Sequence, residues 1–213
     1  DLCPVDKKIY ALRDRTGTID SYPLICGSIM SKKIAEGIGR LVLDIKTGNG
    51  AFMNTLEKAN ALGSLLSNIG TNNGLTVEYV VTDMNQPLGN FSGVGCEVIE
   101  SIDALKGNCP ADLLSVVLHV GSAMIPKVST NESKKLLTKT IDDGSALHVF
   151  EKMVKAHGGS LYDFRKMDYL KPKFQYTLES SEDGYIAHMD TQLVGESIVS
   201  LGGGRMKRNQ IID

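Results

Sequence analysis

Apolar residues recur at helical spacing over 24–34, behind an oxygen side chain at Asp20 or Ser21 and a proline at Pro23. A side-chain oxygen caps the first free amides and proline fits the opening turn, so a helix starts here and runs towards Gly37. The periodicity then changes. Residues 41–45 are a short continuous apolar run closed by 46–50, the pattern of a buried strand ending in a glycine loop. Residues 56–69 read as a helix and 75–82, rich in Val and Tyr, as a second buried strand. Strand, helix and strand at this spacing imply a parallel crossover unit. Ligands in such sheets collect beyond the carboxyl ends of the strands, here 46–52 and 83–95.

Further along, 96–105 and 111–124 are amphipathic helices, and 133–157 is helical with an interruption at 142–144. Residues 174–188 alternate, with Tyr176, Leu178, Tyr185 and Ile186 around the turn Ser180-Ser-Glu-Asp-Gly184, which predicts a hairpin. A last helix over 191–200 ends in Gly202, Gly203 and Gly204. No repeat, low-complexity segment or interdomain linker interrupts this order. The fold class expected is α/β, a mixed sheet flanked by helices.

Composition narrows the function classes. The 213 residues are 42% hydrophobic and 23% charged, enough for one core or a core plus a small lobe. A net charge of -2 with both signs spread along the chain offers no basic stripe for a phosphate backbone, so nucleic acid is not an expected partner. Cys3, Cys26, Cys96 and Cys109 lack the spacing of a zinc site or disulfide framework and are expected to be reduced thiols of a cytoplasmic protein. The apolar runs are too short to span a bilayer, so no membrane is expected. The chain opens on Asp1 in a motif-like stretch and closes on Ile211, Ile212 and Asp213, which suggests an internal piece of a longer protein.

The densest chemistry is Tyr10-Ala-Leu-Arg13-Asp14 followed by Ser21, Pro23 and Ser28-Ile-Met-Ser-Lys32-Lys33. Ser28 and Lys32 are four apart on a helix and share a face, with Arg13 arriving from the preceding segment. An arginine, a hydroxyl and an ammonium together suit a planar polar ligand that must accept negative charge. The plainer alternative makes Lys32 and Lys33 a solvated helix face and pairs Arg13 locally with Asp14. The glycine loops at 46–52 and 88–95 match neither a Walker nor a dinucleotide pattern and read first as turns. Gly202 to Arg205 reads as a helix end. His119, His148, His157 and His188 lie on separate elements and read as core-edge or surface residues, and Asp190 and Glu196 carry no stronger signal.

Taken in order, Tyr-Ala-Leu-Arg-Asp, Pro-Leu-Ile, Ser-Ile-Met-Ser-Lys-Lys, Gly-Ala-Phe-Met, Thr82-Asp-Met-Asn-Gln-Pro-Leu-Gly89, Asp-Asp-Gly-Ser-Ala and Gly-Gly-Gly-Arg resemble the thymidine and pyrimidine-nucleoside phosphorylases across essentially the whole chain. The resemblance implies a homodimeric enzyme with a small all-helical lobe, to which 1–37 would partly belong, and an α/β lobe comprising 38–213. It implies reversible phosphorolysis of pyrimidine deoxynucleosides, with inorganic phosphate as co-substrate and no cofactor required. Carried over by motif, Arg13, Ser28 and Lys32 hold the polar edge of the pyrimidine, Arg13 and Lys32 in a catalytic capacity, while Tyr10, Ile25 and Phe52 shape the pocket. A monovalent cation site would fall on the backbone of Leu88 and Phe91 and on Glu100.

The departures are equally specific. The family's Lys-His-Ser-Thr-Gly-Gly phosphate stretch has no counterpart in these 213 residues, and Arg15 and Cys26 stand where smaller or apolar residues are expected. The chain alone is accordingly expected to bind base poorly. Two other readings are a non-catalytic nucleobase- or partner-binding homologue and a phosphoribosyltransferase of the anthranilate type.

Overall fold

The computed structural model describes residues 3–165, 172 and 174–204. Two compact units emerge: residues 1–84 with 119–128, and residues 85–118 with 129–213.

The first unit begins with a helix not anticipated from the sequence, α1 (Pro4–Thr16). Pro4 fits its first turn, and Val5, Ile9 and Leu12 supply an apolar row at i, i+4 and i+7. It stops at Gly17, which takes the left-handed conformation (φ 63°), and Thr18 N–H returns to the Arg13 carbonyl at 3.1 Å. Helix α2 (Tyr22–Ala35) follows. Ser21 occupies its N-cap position without a side-chain capping bond, so Pro23 and backbone geometry, not the expected oxygen cap, start this helix.

Strands β1 (Arg40–Thr47) and β2 (Thr76–Asp83) pair in parallel, joined through α3 (Leu56–Asn72). This is the expected crossover, with β1 extending two residues into the anticipated loop. Thr55 caps α3 by accepting the Lys58 N–H. The core lies between α2, α3 and the pair of strands: Cys26, Met30, Ile45, Leu62, Leu66 and Val77 are buried together. Both strands are largely half-buried rather than buried, because the sheet among the described residues has only two strands. Two glycines let α3 approach β2 closely. A Cβ on Gly70 would stand 2.1 Å from Val77 Cγ2, and one on Gly63 would stand 2.5 Å from the Tyr79 ring.

In the second unit, α4 (Val94–Ala104) precedes α6 (Thr130–Asp142) and α7 (Ser145–Ala156), with α5 (Ala111–Met124) divided between the units. The interruption expected near 142–144 is real: Gly144 adopts φ 75° between α6 and α7. A Ser129–Glu132 capping box starts α6. The short α8 (Leu161–Arg165) follows, and α9 (Thr191–Ile198), capped by Asp190, continues into a π-helical turn at Val199–Gly203. Arg205 of the Gly-Gly-Gly-Arg motif lies outside the described residues.

The hairpin expected over 174–188 does not form. Phe174, Tyr176, Leu178, Tyr185 and Ile186 are all exposed, so neither alternate face has anything to bury itself against. An isolated two-stranded hairpin is marginal in water, and turn chemistry alone does not hold it.

Candidate functional site

Five of the six residues expected to contact a base line one cavity of the first unit. Tyr10, Arg13, Ile25, Ser28 and Phe52 surround a space of about 470 Å³ that also meets Leu43, Asp44, Lys46, Leu66 and Met84. Its walls are mainly apolar with a few convergent polar groups, as a small planar ligand requires.

Arg13 owes its place to the end of α1. The turn at Gly17 folds residues 18–20 back over the guanidinium, which donates from Nε to Thr18 O at 3.3 Å, from Nη1 to Leu24 O at 3.3 Å and from Nη2 to Ile19 O. Only 3% of the residue is exposed. Its guanidinium carbon lies 5.2 Å from the centroid of the Tyr10 ring, within cation–π range. Each nitrogen already serves one carbonyl, and a guanidinium has five N–H groups, so one on each terminal nitrogen is left for a ligand. Arg13 therefore combines a structural role with any binding role.

Lys32 is placed differently. Its ammonium donates to Asp6 Oδ2 at 2.6 Å and to Ser28 Oγ at 3.0 Å. Ser28 and Lys32 do share a face of α2, but only Ser28 lines the cavity, and Lys32 stands one turn beyond it. Lys33 instead pairs with Glu36 at 3.0 Å, so for Lys33 the solvated-face reading holds. Asp6 was missed by sequence reasoning, although its position two turns before Arg13 on the same helix face was a usable signal once α1 was recognised. The hydrogen bond from Lys32, then that of the Ser28 hydroxyl, holds the Asp6 carboxyl below the usual carboxylate range.

A second missed cluster sits at the carboxyl end of the sheet. Lys46 donates to Thr82 Oγ1 at 2.7 Å and pairs with Asp44 at 2.8 Å, and Thr82 donates to Asp44. Asp44 and Lys46 alternate onto one face of β1 and put a balanced pair of charges on the cavity wall. The following glycine loop is stitched to the end of β2 by Met84 N–H to Thr47 O at 2.7 Å and Gly50 N–H to Met84 O at 3.1 Å. It behaves as a turn that carries Phe52 to the cavity, with the residue 75% exposed. Cys26 is buried in the core, and desolvation pushes its thiol up, away from reactivity.

The expected cation ligands lie in the second unit. Glu100 on α4 is buried, and one of its oxygens accepts the Asn90 N–H at 2.8 Å. Gly89, at φ 77°, lies beside the other oxygen, which an added Cβ would approach to 2.5 Å. The carboxylate thus lies against the backbone between Leu88 and Phe91. Of the three expected ligands, Glu100 brings a carboxylate oxygen of the kind a hard cation takes. No cluster of three His, Cys, Asp or Glu residues occurs among the described residues. All four histidines are exposed, and no helix of the described residues is long and apolar enough to cross a membrane.

Comparison with known proteins bears on this geometry directly. The family model described as "Glycosyl transferase family, a/b domain" matches residues 2–147. The chain belongs to this family. Among curated proteins, the pyrimidine-nucleoside phosphorylase of Staphylococcus aureus strain bovine RF122 / ET3-1 is 45% identical over 221 residues, covering 100% of this chain and 50% of that protein. The pyrimidine-nucleoside phosphorylase of strain USA300 is 44% identical over the same extent. The chain thus spans about half the length of the curated relatives it matches. The family membership agrees with the resemblance drawn from the motifs and places the Arg13–Ser28 cavity within the matched segment.

Proposed function

We propose that the protein carrying this chain catalyses reversible phosphorolysis of thymidine or related pyrimidine deoxynucleosides, giving free base and deoxyribose 1-phosphate. The observation that carries this reading is the convergence of Arg13 and Ser28 on one apolar cavity with Lys32 bonded to Ser28, in a chain 45% identical to a pyrimidine-nucleoside phosphorylase.

Phosphorolysis breaks the bond between the base and the anomeric carbon while phosphate oxygen forms a new one, and the base departs with the bonding electrons. Charge therefore develops on the pyrimidine. Arg13 places positive charge at the cavity where that anion forms, Lys32 adds to it from one turn beyond through its bond to Ser28, and Ser28 orients the polar edge. Ile25 and Tyr10 give the flat faces of the ring an apolar slot, and Phe52 closes the mouth. Inorganic phosphate is the co-substrate in this reading and no organic cofactor takes part. Leu88, Phe91 and Glu100 are proposed to hold a monovalent cation, a structural and charge-balancing role that leaves the base site unchanged. The intact protein is proposed to be a cytoplasmic homodimer of nucleoside salvage, with 1–37 part of a smaller helical lobe beside the α/β lobe.

The test is phosphate-dependent release of thymine from thymidine by the longer protein, compared with Lys32→Met and Ser28→Ala. A fall in kcat/KM of about a hundredfold for Lys32→Met supports the reading. Unchanged kcat/KM in both variants, or thymine release independent of phosphate, contradicts it.

A further inference from the structure

Two cations were expected to grip the ligand, yet they are held by unlike means. Arg13 is fixed by three backbone carbonyls. Lys32 has no such cage: its side chain is 40% exposed, on a four-carbon stem with several rotamers. What holds it is Asp6, whose side chain is only 15% exposed and whose carboxylate lies 2.6 Å from the ammonium.

Asp6 and Arg13 stand seven residues apart on α1 and so share a face. That face meets α2, where Ser28 and Lys32 are one turn apart. Four polar side chains on two helices therefore form one row: Arg13 and Ser28 at the cavity, then Lys32, then Asp6 behind it. An ammonium has three N–H groups. Asp6 takes one and Ser28 another, which leaves the third with a fixed direction.

We propose that Asp6 is a positioning residue of the base site, holding the Lys32 ammonium against Ser28 so that its remaining N–H is presented to a planar, anion-forming base. This rests on the proposed function of the cavity and adds to it a residue that touches no ligand. An ion pair this exposed contributes little to stability, so its use is geometric.

The experiment uses the longer protein that carries this chain and thymine as the probe, with binding followed by NMR titration for wild type, Asp6→Asn, Asp6→Glu, Lys32→Met and the Asp6→Asn/Lys32→Met double variant. The motional order of the Lys32 side-chain end is read by relaxation in the ligand-free protein. Asp6→Asn is expected to weaken thymine binding about fivefold and to raise Lys32 mobility. Asp6→Glu should restore most of both, and the double variant should be no weaker than Lys32→Met alone. A merely structural role would leave Lys32 mobility unchanged and make the two losses additive, which overturns the proposal. If Lys32→Met weakens binding and Asp6→Asn does not, this inference fails and the base site stands. If wild type shows no thymine response at all, the base-site reading fails and takes this inference with it.

Discussion

The two units differ in how far their apolar side chains gather into a core, although each leaves some exposed and the second buries Ile102. In the first, Cys26, Met30, Ile45, Leu62, Leu66 and Val77 close into one core between two helices and a parallel pair of strands. In the second, Leu136, Val149 and Met153 on α6 and α7, and Phe174, Tyr176, Leu178 and Tyr185 beyond them, stay exposed. The candidate base site lies wholly in the unit that has the core. Fixed chemistry needs fixed walls, and Ile45, Leu62 and Leu66 of this core also line the Arg13 cavity.

If this contrast is right, substitutions of similar size should differ sharply between the units. The largest loss is expected at Leu66, 1% exposed in the middle of the core. Leu66→Ala should cost about 3–4 kcal/mol by lost burial and cavity formation, read as a shift in denaturant midpoint. Arg13→Ala comes next, at about 3 kcal/mol, because Thr18, Ile19 and Leu24 lose charge-assisted donors at a buried point. Loss of activity in an Arg13 variant consequently mixes unfolding with lost binding, and Lys32 and Ser28 are the cleaner probes. Gly63→Ala should cost about 2 kcal/mol by driving a methyl group into the Tyr79 ring.

The smaller effects sharpen the comparison. Asp6 has a depressed carboxyl, so its pairing with Lys32 is fully present above the ordinary aspartate range and is lost as pH falls through the lowered value. The stability difference between wild type and Asp6→Asn should be constant from neutral pH down to that range and vanish below it, and it should stay under about 1 kcal/mol because Lys32 is exposed. Smallest of all, Leu178→Ser in the second unit should change stability by less than about 0.5 kcal/mol. A large loss there would mean that the exposed row is packed in solution.

Legibility from sequence follows the same division. The crossover unit was readable because β1, α3 and β2 change period abruptly and the glycine loops punctuate them. Tyr10, Arg13, Ile25, Ser28 and Phe52 were recoverable as one site because the motifs carrying them are specific. Helix α1 was overlooked: its Val5, Ile9 and Leu12 row sits in a strongly polar stretch, and losing the helix meant losing Asp6 as the partner of Lys32. Asp44 and Lys46 were hidden because alternation along a strand says which face a residue takes and not that the face borders a cavity. The hairpin over 174–188 failed for the opposite reason, a clear local pattern with nothing to bury its faces against.

The central claim, that the Arg13–Ser28 cavity is a pyrimidine base site, is tested most directly by mapping amide shifts of these 213 residues within the longer protein on addition of thymine. The account predicts saturable shifts gathered at Tyr10, Ser28, Lys32 and Phe52, reduced by Lys32→Met, with residues 129–165 unmoved. Absence of shifts around the cavity, or shifts confined to the second unit, would contradict it.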